Sequence, residues 1–99
     1  MKFGRKVAAE HLVVYLKRDE VSPQARFGFL VAKTVGGAVQ RNLVKRRMRA
    51  VARETLTELS NGTQVVVRAL PGAAQITWNK LREELLTAIK TAESKKTKS

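Results

Sequence analysis

Between Arg41 and Arg53 the chain places six basic side chains and no acidic one, in the order Arg-Asn-Leu-Val-Lys-Arg-Arg-Met-Arg-Ala-Val-Ala-Arg. At about 100° per residue on a helix, Asn42, Lys45, Arg46, Arg49 and Arg53 fall within roughly one-third of the circumference. Val44, Met48, Val51, Thr55 and Leu59 fall on another face, which suits packing on a sheet. Solvated helix faces usually interleave acids with bases, because like charges four residues apart repel by a few tenths of a kcal/mol. Lys45, Arg49 and Arg53 stand at that spacing without an acid between them, so the balancing charge is expected from an external anion. Arginine's planar fork takes two phosphate oxygens at once, which favours a polyphosphate backbone over diffuse attraction to a lipid surface. An ordinary solvated charged face is the alternative.

Smaller signals flank this stretch. Lys33-Thr34-Val35-Gly36-Gly37-Ala38 sets a lysine at a strand end and two glycines at a helix entry, where free N–H groups and the helix dipole favour an anion. A plain tight turn fits the same residues. Tyr15 offers a ring on which a base could stack, or a half-buried ring with its hydroxyl in water. His11, the single histidine, reads as a surface strand residue rather than a ligand. With no cysteine and one imidazole, neither a thiolate site nor a multi-histidine zinc site is expected, and no metal site is assigned to this chain. Seven of the eight acids are loop residues (Asp19, Glu20) or helix-surface residues (Glu54, Glu58, Glu83, Glu84, Glu93), and adjacent Glu83 and Glu84 diverge by about 100°. No catalytic side-chain set emerges, so any reactive centre must be supplied from outside the chain.

The elements that must position these residues follow from patterning. Residues 11–18 are β-branched and aromatic without a helical period and read as a strand, with a polar turn from Asp19 to Ala25 around Pro23. Arg26 to Lys33 is a second strand, and the short connection predicts that the two pair antiparallel. Residues 5–9 add a short edge strand. Alternation puts Leu12, Val14 and Leu16 on one face of the first strand and His11, Val13, Tyr15 and Lys17 on the other; Phe27, Phe29 and Val31 share a face of the second. The bulky sets are expected in the core with Trp78 and Val44, while Gly28 and Ala32 leave the other face shallow. The long helix runs from Ala38 to about Leu59 and ends at Ser60-Asn61-Gly62, whose glycine suits a left-handed C-cap. Thr63 to Leu70 is a third strand, closed by Pro71-Gly72. From Thr77, a predicted N-cap, an apolar stripe of Trp78, Leu81, Leu85, Ala88, Ile89 and Ala92 predicts an amphipathic helix. The result is an α+β two-layer sandwich with helices on one face of a small sheet, formed by residues 1–92, and a flexible basic tail at 93–99.

At 99 residues the chain has room for one core, and 20 Lys+Arg against 8 Asp+Glu give a formal charge of +12. Residues 1–53 carry +10 of that charge and residues 54–99 carry +2, which sets the partner-facing chemistry in the first half. Nucleic acid leads as partner. No apolar run is long enough for a membrane span or a signal-peptide core, so a cytoplasmic protein with no membrane partner and no small-molecule cofactor is expected.

The stretch from Arg26 through Arg49, a strand followed by Lys-Thr-Val-Gly-Gly-Ala-Val-Gln-Arg-Asn-Leu-Val-Lys-Arg-Arg-Met-Arg, resembles the signature of the protein subunit of bacterial ribonuclease P. The resemblance continues through the Val-rich strand, the Arg68-Ala-Leu-Pro71 exit and the last helix. It implies a mixed sheet with a left-handed crossover joining the strand at 26–33 to the parallel strand at 63–70 through the long helix, a fold shared with a ribosomal protein domain. That hand is the opposite of the usual rule. It also implies a role: an assistant to a catalytic RNA that removes the 5′ leader of precursor tRNA by endonucleolytic hydrolysis, with Mg2+ bound mainly by the RNA and substrate. Carried over by position, the RNA-binding residues are Lys33, Arg41, Asn42, Lys45, Arg46, Arg49 and Arg53. The leader-binding residues are Tyr15, Arg26 and Arg68. Two departures stand out: Leu43 replaces the second arginine of the family's Arg-Asn-Arg element, and the family's first helix, which lines the leader cleft, has no counterpart after Met1. A structural RNA binder of the ribosomal-protein type is the alternative reading. A self-sufficient protein nuclease has the least support, since a metal-binding carboxylate or histidine set is not apparent.

Overall fold

A computed structural model describes residues 4–18, 25–59 and 62–94. Residues 1–3, all but Ala25 of the polar turn expected from Asp19 to Ala25, the Ser60-Asn61 pair and residues 95–99 lie outside them. Strands β1 (Arg5–Ala8), β2 (Leu12–Arg18) and β3 (Arg26–Val31) precede helix α1 (Ala38–Leu56), and strand β4 (Thr63–Ala69) and helix α2 (Trp78–Ser94) follow it. The four strands form one mixed sheet in the order β1-β2-β4-β3.

This order corrects the expected pairing. β2 and β3 do run in opposite directions, but β4 lies between them, antiparallel to β2 and parallel to β3. The physical reason is burial: β4 carries the Val65-Val66-Val67 run, and a central position covers it from both sides, whereas an edge would leave its backbone groups unpaired. The chain between β2 and β3 steps over one strand position, and β4 returns after α1 to fill it.

Register sorts the residues by face. Leu16, Val65 and Phe27 stand in one row, Val14, Val67 and Phe29 in the next, and Leu12, Ala69 and Val31 in a third. Both helices pack on that face. Val44, Met48, Val51, Leu81, Leu85 and Ile89 are almost wholly excluded from solvent and join the sheet residues in one core. Trp78 and the stacked rings of Phe27 and Phe29, 6.1 Å apart, border it half-buried. The alternation read from the sequence therefore assigns the core face correctly.

Helix boundaries follow from their caps. Thr77 Oγ1 accepts the Lys80 N–H at 3.2 Å, satisfying one orphan donor of α2. At the other end of α2, Arg5 donates to the Ala92 carbonyl at 3.1 Å, a cation placed on the negative end of the helix. α2 extends to Ser94, two residues past the expected domain edge. α1 ends at Leu56, three residues earlier than expected, and Glu58 and Leu59 continue in tight turns through N–H bonds to Thr55 and Leu56. Gly62 is left-handed at φ 83°, but it leads into β4 and is not the C-cap of α1.

Candidate nucleic-acid interface

α1 divides as its sequence requires. Its inner face buries Val44, Met48, Val51, Ala52 and Thr55, and the Thr55 hydroxyl is satisfied by the Ala52 carbonyl at 3.2 Å. Asn42, Arg46, Arg49 and Arg53 are exposed on the outer side, with Lys45 half-exposed beside them. Val39, Asn42, Lys45, Arg46 and Arg49 line a shallow depression of about 450 Å3. Val39 is 82% exposed at the head of this surface, an apolar residue with no core to join. Periodicity thus located the ridge, although it did not single out Val39.

Two basic residues of the same stretch leave the ridge. Arg47 turns toward the other helix and donates to the Ile76 carbonyl at 3.0 Å, which pins the approach to α2. Arg41 is half-buried at the flank of the core face, and its Nε is buried without a hydrogen-bond partner among the described residues. Both lie outside the arc that runs from Lys45 through Arg49, Asn42 and Arg53 to Arg46, as a period of 3.6 residues demands.

The helix entry differs from the expectation of an open anion cradle. β3 ends at Val31, and Lys33 sits exposed at the start of a single 3-10 turn, Lys33–Val35, rather than on the strand. Gly36 N–H donates to the Lys33 carbonyl at 3.1 Å, and Gly37 N–H donates to Gln40 Oε1 at 3.1 Å. Both glycine donors are therefore consumed inside the chain, and the tight-turn reading accounts for them. Gly36 adopts φ 154° close against the Gln40 side chain, where a β-carbon would collide.

The sheet face away from the helices forms a second surface. Its rows are Lys17, Gln64 and Arg26; Lys6, Tyr15, Val66 and Gly28; and Ala8, Val13, Arg68 and Leu30. Tyr15, Arg26 and Arg68, expected to act together, all stand on this face. Tyr15 is half-buried, with the Lys6 ammonium 5.9 Å from its ring centroid. Beside it, Arg26, Gly28, Gln64 and Val66 border a hollow of about 180 Å3, shallow because Gly28 contributes no side chain. Leu30 is 55% exposed at the margin. Lys6 and Leu30 were not singled out from the sequence; only the β1-β2 and β3-β4 registers bring them beside Tyr15 and Arg68.

His11 departs from its expected place on this face. It precedes β2, and its backbone N–H and its Nδ1 both meet the Glu84 carboxylate, the latter at 3.0 Å. Glu84 is thus a partner of the sheet as well as a helix-surface acid. Between the helices, Arg82 Nε donates to both Glu54 oxygens at 3.0 and 3.1 Å. This bond holds the Glu54 carboxyl below its ordinary pKa and raises that of Arg82. Among the described residues, no helix is long and apolar enough to cross a membrane.

The chain has the charged helix, the mixed sheet and the open basic face in one arrangement, and known proteins share it. The family model described as Ribonuclease P matches residues 1–93. The chain is 39% identical over 89 residues to the ribonuclease P protein component of Clavibacter michiganensis, covering 90% of this chain and 79% of that one. It is 40% identical over 92 residues to the corresponding protein of Kocuria rhizophila, covering 93% and 80%. The solved structure of the Staphylococcus aureus RNase P protein superimposes with a TM-score of 0.81 at 27% identity, covering 90% of this chain and 81% of that one. The ribosomal-type alternative is not favoured by these matches. With its fold, its basic helix and its sequence all in agreement, the chain belongs to the ribonuclease P protein family, the protein component of a ribonucleoprotein endoribonuclease that matures the 5′ ends of tRNAs.

Proposed function

We propose that this chain docks the ridge of α1 on a large catalytic RNA and lays the 5′ leader of precursor tRNA across the open sheet face. The observation that carries the reading is the pairing of two cationic surfaces on opposite sides of one small sheet. On α1, Asn42, Lys45, Arg46, Arg49 and Arg53 present donors to a phosphate backbone, with Lys33 at the approach and Arg41 at the flank. Arg41 Nε, buried without a partner among the described residues, would gain one from an RNA oxygen. Across the sheet, Tyr15 supplies a stacking plane while Arg26, Arg68, Lys6 and Lys17 surround it with charge, the combination that holds single-stranded nucleic acid without reading its sequence.

Leu43 stands half-buried where the family pattern has an arginine, and the neighbouring Lys45 and Arg46 supply positive charge within one turn. The residues named on both surfaces are dominated by guanidinium and ammonium groups and include no carboxylate, so their positive charge repels a hard cation rather than holding it. The Mg2+ of the reaction therefore fits phosphate and base oxygens of the RNA and substrate, and the phosphodiester cleavage is assigned to the RNA. The chain's own work is to bind, to orient and to neutralise, which lowers the magnesium needed to bring two polyanions together.

The test is cleavage of a leader-bearing precursor tRNA at low Mg2+ by the chain, by the catalytic RNA of the same organism, and by the two combined. Cleavage to a mature 5′ end by the combination only is the expected result. A combination no better than the RNA alone would overturn the proposal, and cutting by the chain alone would move the reactive centre into the protein.

A further inference from the structure

We propose that Glu10, His11 and Glu84 form a binding site for a divalent transition-metal ion, of the Zn2+ or Mn2+ type, that ties the start of β2 to α2. The chain's single histidine stands here with two of its eight acids, and the ligand atoms of the three side chains all lie within 4.8 Å of one another. One imidazole with two carboxylates is a donor set for borderline first-row ions rather than for Mg2+ alone. The sequence excludes a site made of several imidazoles but not this one, because Glu84 is 73 residues from His11 and reaches it only through the packing of α2.

Geometry supports coordination. At about 2.1 Å from an ion, two adjacent octahedral ligands stand about 3.0 Å apart and two opposite ones about 4.2 Å. His11 Nδ1 and Glu84 Oε1 are already 3.0 Å apart, so an ion can replace the proton between them with no change in their separation. The third ligand can stand opposite only one of the other two and must close on the remaining one by up to about 1.8 Å, which Glu10, being exposed, can do by changing rotamer. His11 and Glu84 are held for the task. Their side chains are only 15% and 11% exposed, the His11 carbonyl accepts the Leu70 N–H at 2.9 Å, and the His11 ring lies close against Gly72. Gly72 has φ 99°, and a β-carbon there would stand 3.1 Å from the ring.

An entry path exists. A groove of about 590 Å3 between β1 and α2 is bordered by Glu10 and Glu84 together with Glu83, Lys80 and Thr87. Ions reach the Glu10 and Glu84 carboxylates from this groove, with His11 behind Glu84, and its solvent completes the coordination. A bound ion joins two elements that are otherwise linked here by the His11–Glu84 hydrogen bonds.

The experiment uses the purified chain without RNA, so it stands apart from the cleavage test. Mn2+ binding is followed by loss of the free-ion resonance signal, Zn2+ binding by calorimetry, and both by the ring-nitrogen resonances of the one histidine. Saturable binding of one ion per chain is expected, with a shift of the His11 ring signals and a rise in Tm. Glu10→Gln, at an exposed position that leaves the fold intact, should weaken binding at least about tenfold, and His11→Gln by as much or more. Absence of saturable binding would overturn the site. So would binding that both variants leave unchanged, or binding that does not move the His11 ring signals.

Discussion

Tyr15 shows what a single residue contributes to the open face. Its ring lies in the middle strands of the sheet with Lys6 against it, a rigid plane with a cation beside it. A base stacked there gains about 1–3 kcal/mol. Tyr15→Ala should therefore weaken precursor tRNA binding to the holoenzyme by about 5- to 150-fold, while mature tRNA, which has no leader, should bind as before. Tyr15→Phe should keep most of the affinity because the plane remains. Direct binding measurements on the two tRNAs decide it, and an equal loss for both would remove the leader from this face. Residue type and strand alternation singled out Tyr15, and the family resemblance singled out Arg26 and Arg68. None of these could reveal Lys6, whose place depends on the pairing of Lys6 with Tyr15 across two strands, or the role of Glu84, which depends on how α2 rotates against the sheet.

α1 performs two tasks on two faces, and its substitutions should separate accordingly. Met48 is fully buried against the sheet, so Met48→Ala should cost about 2–5 kcal/mol of stability while leaving the salt dependence of RNA binding unchanged in the folded protein. Arg49→Gln should do the reverse. Removing one phosphate contact lowers the slope of log affinity against log salt by about one, and relief of like-charge repulsion from Lys45 and Arg53 leaves stability equal or slightly higher. Binding titrations at several salt concentrations, with denaturant melts of the same proteins, make the comparison. An unchanged slope for Arg49→Gln would take the ridge out of the interface.

The two helices are also joined by Glu54 and Arg82, an exposed pair whose hydrogen bonds depress the Glu54 pKa. A depressed carboxyl pKa means that the pair's stabilising contribution is present at neutral pH and is lost as pH falls through the folded-state value, below the ordinary 4.5. Carboxyl resonances followed during acid titration should show Glu54 titrating below 4.5, and Arg82→Gln should return it toward that value. A Glu54 midpoint unaffected by Arg82→Gln would mean the contact does not persist in solution.

For the molecule as a whole, the number and type of elements were legible because their periods are local properties: alternation in β2 and β3, a 3.6-residue stripe in α1 and α2. Strand order was not local. The short link between β2 and β3 argued for a hairpin, and nothing within either strand records that β4, more than thirty residues later, takes the place between them. The face assignment survived this because inserting a strand changes neighbours without changing which side each residue points to. Charge distribution was legible too, and it carries a consequence for stability. A chain of net charge +12 on so small a surface repels itself, and the Glu54–Arg82 pair offsets little of that. Screening shortens the reach of this repulsion from about 30 Å at 0.01 M salt to about 8 Å at 0.15 M. The Tm of the isolated chain should therefore rise as NaCl is added through this range, and a short RNA should raise it further at low salt by supplying the missing negative charge. Calorimetric melts across a salt series are the check. A Tm that falls with added salt would mean that attractive pairs outweigh repulsion, and the two cationic surfaces would then be compensated within the chain rather than held open for a polyanion.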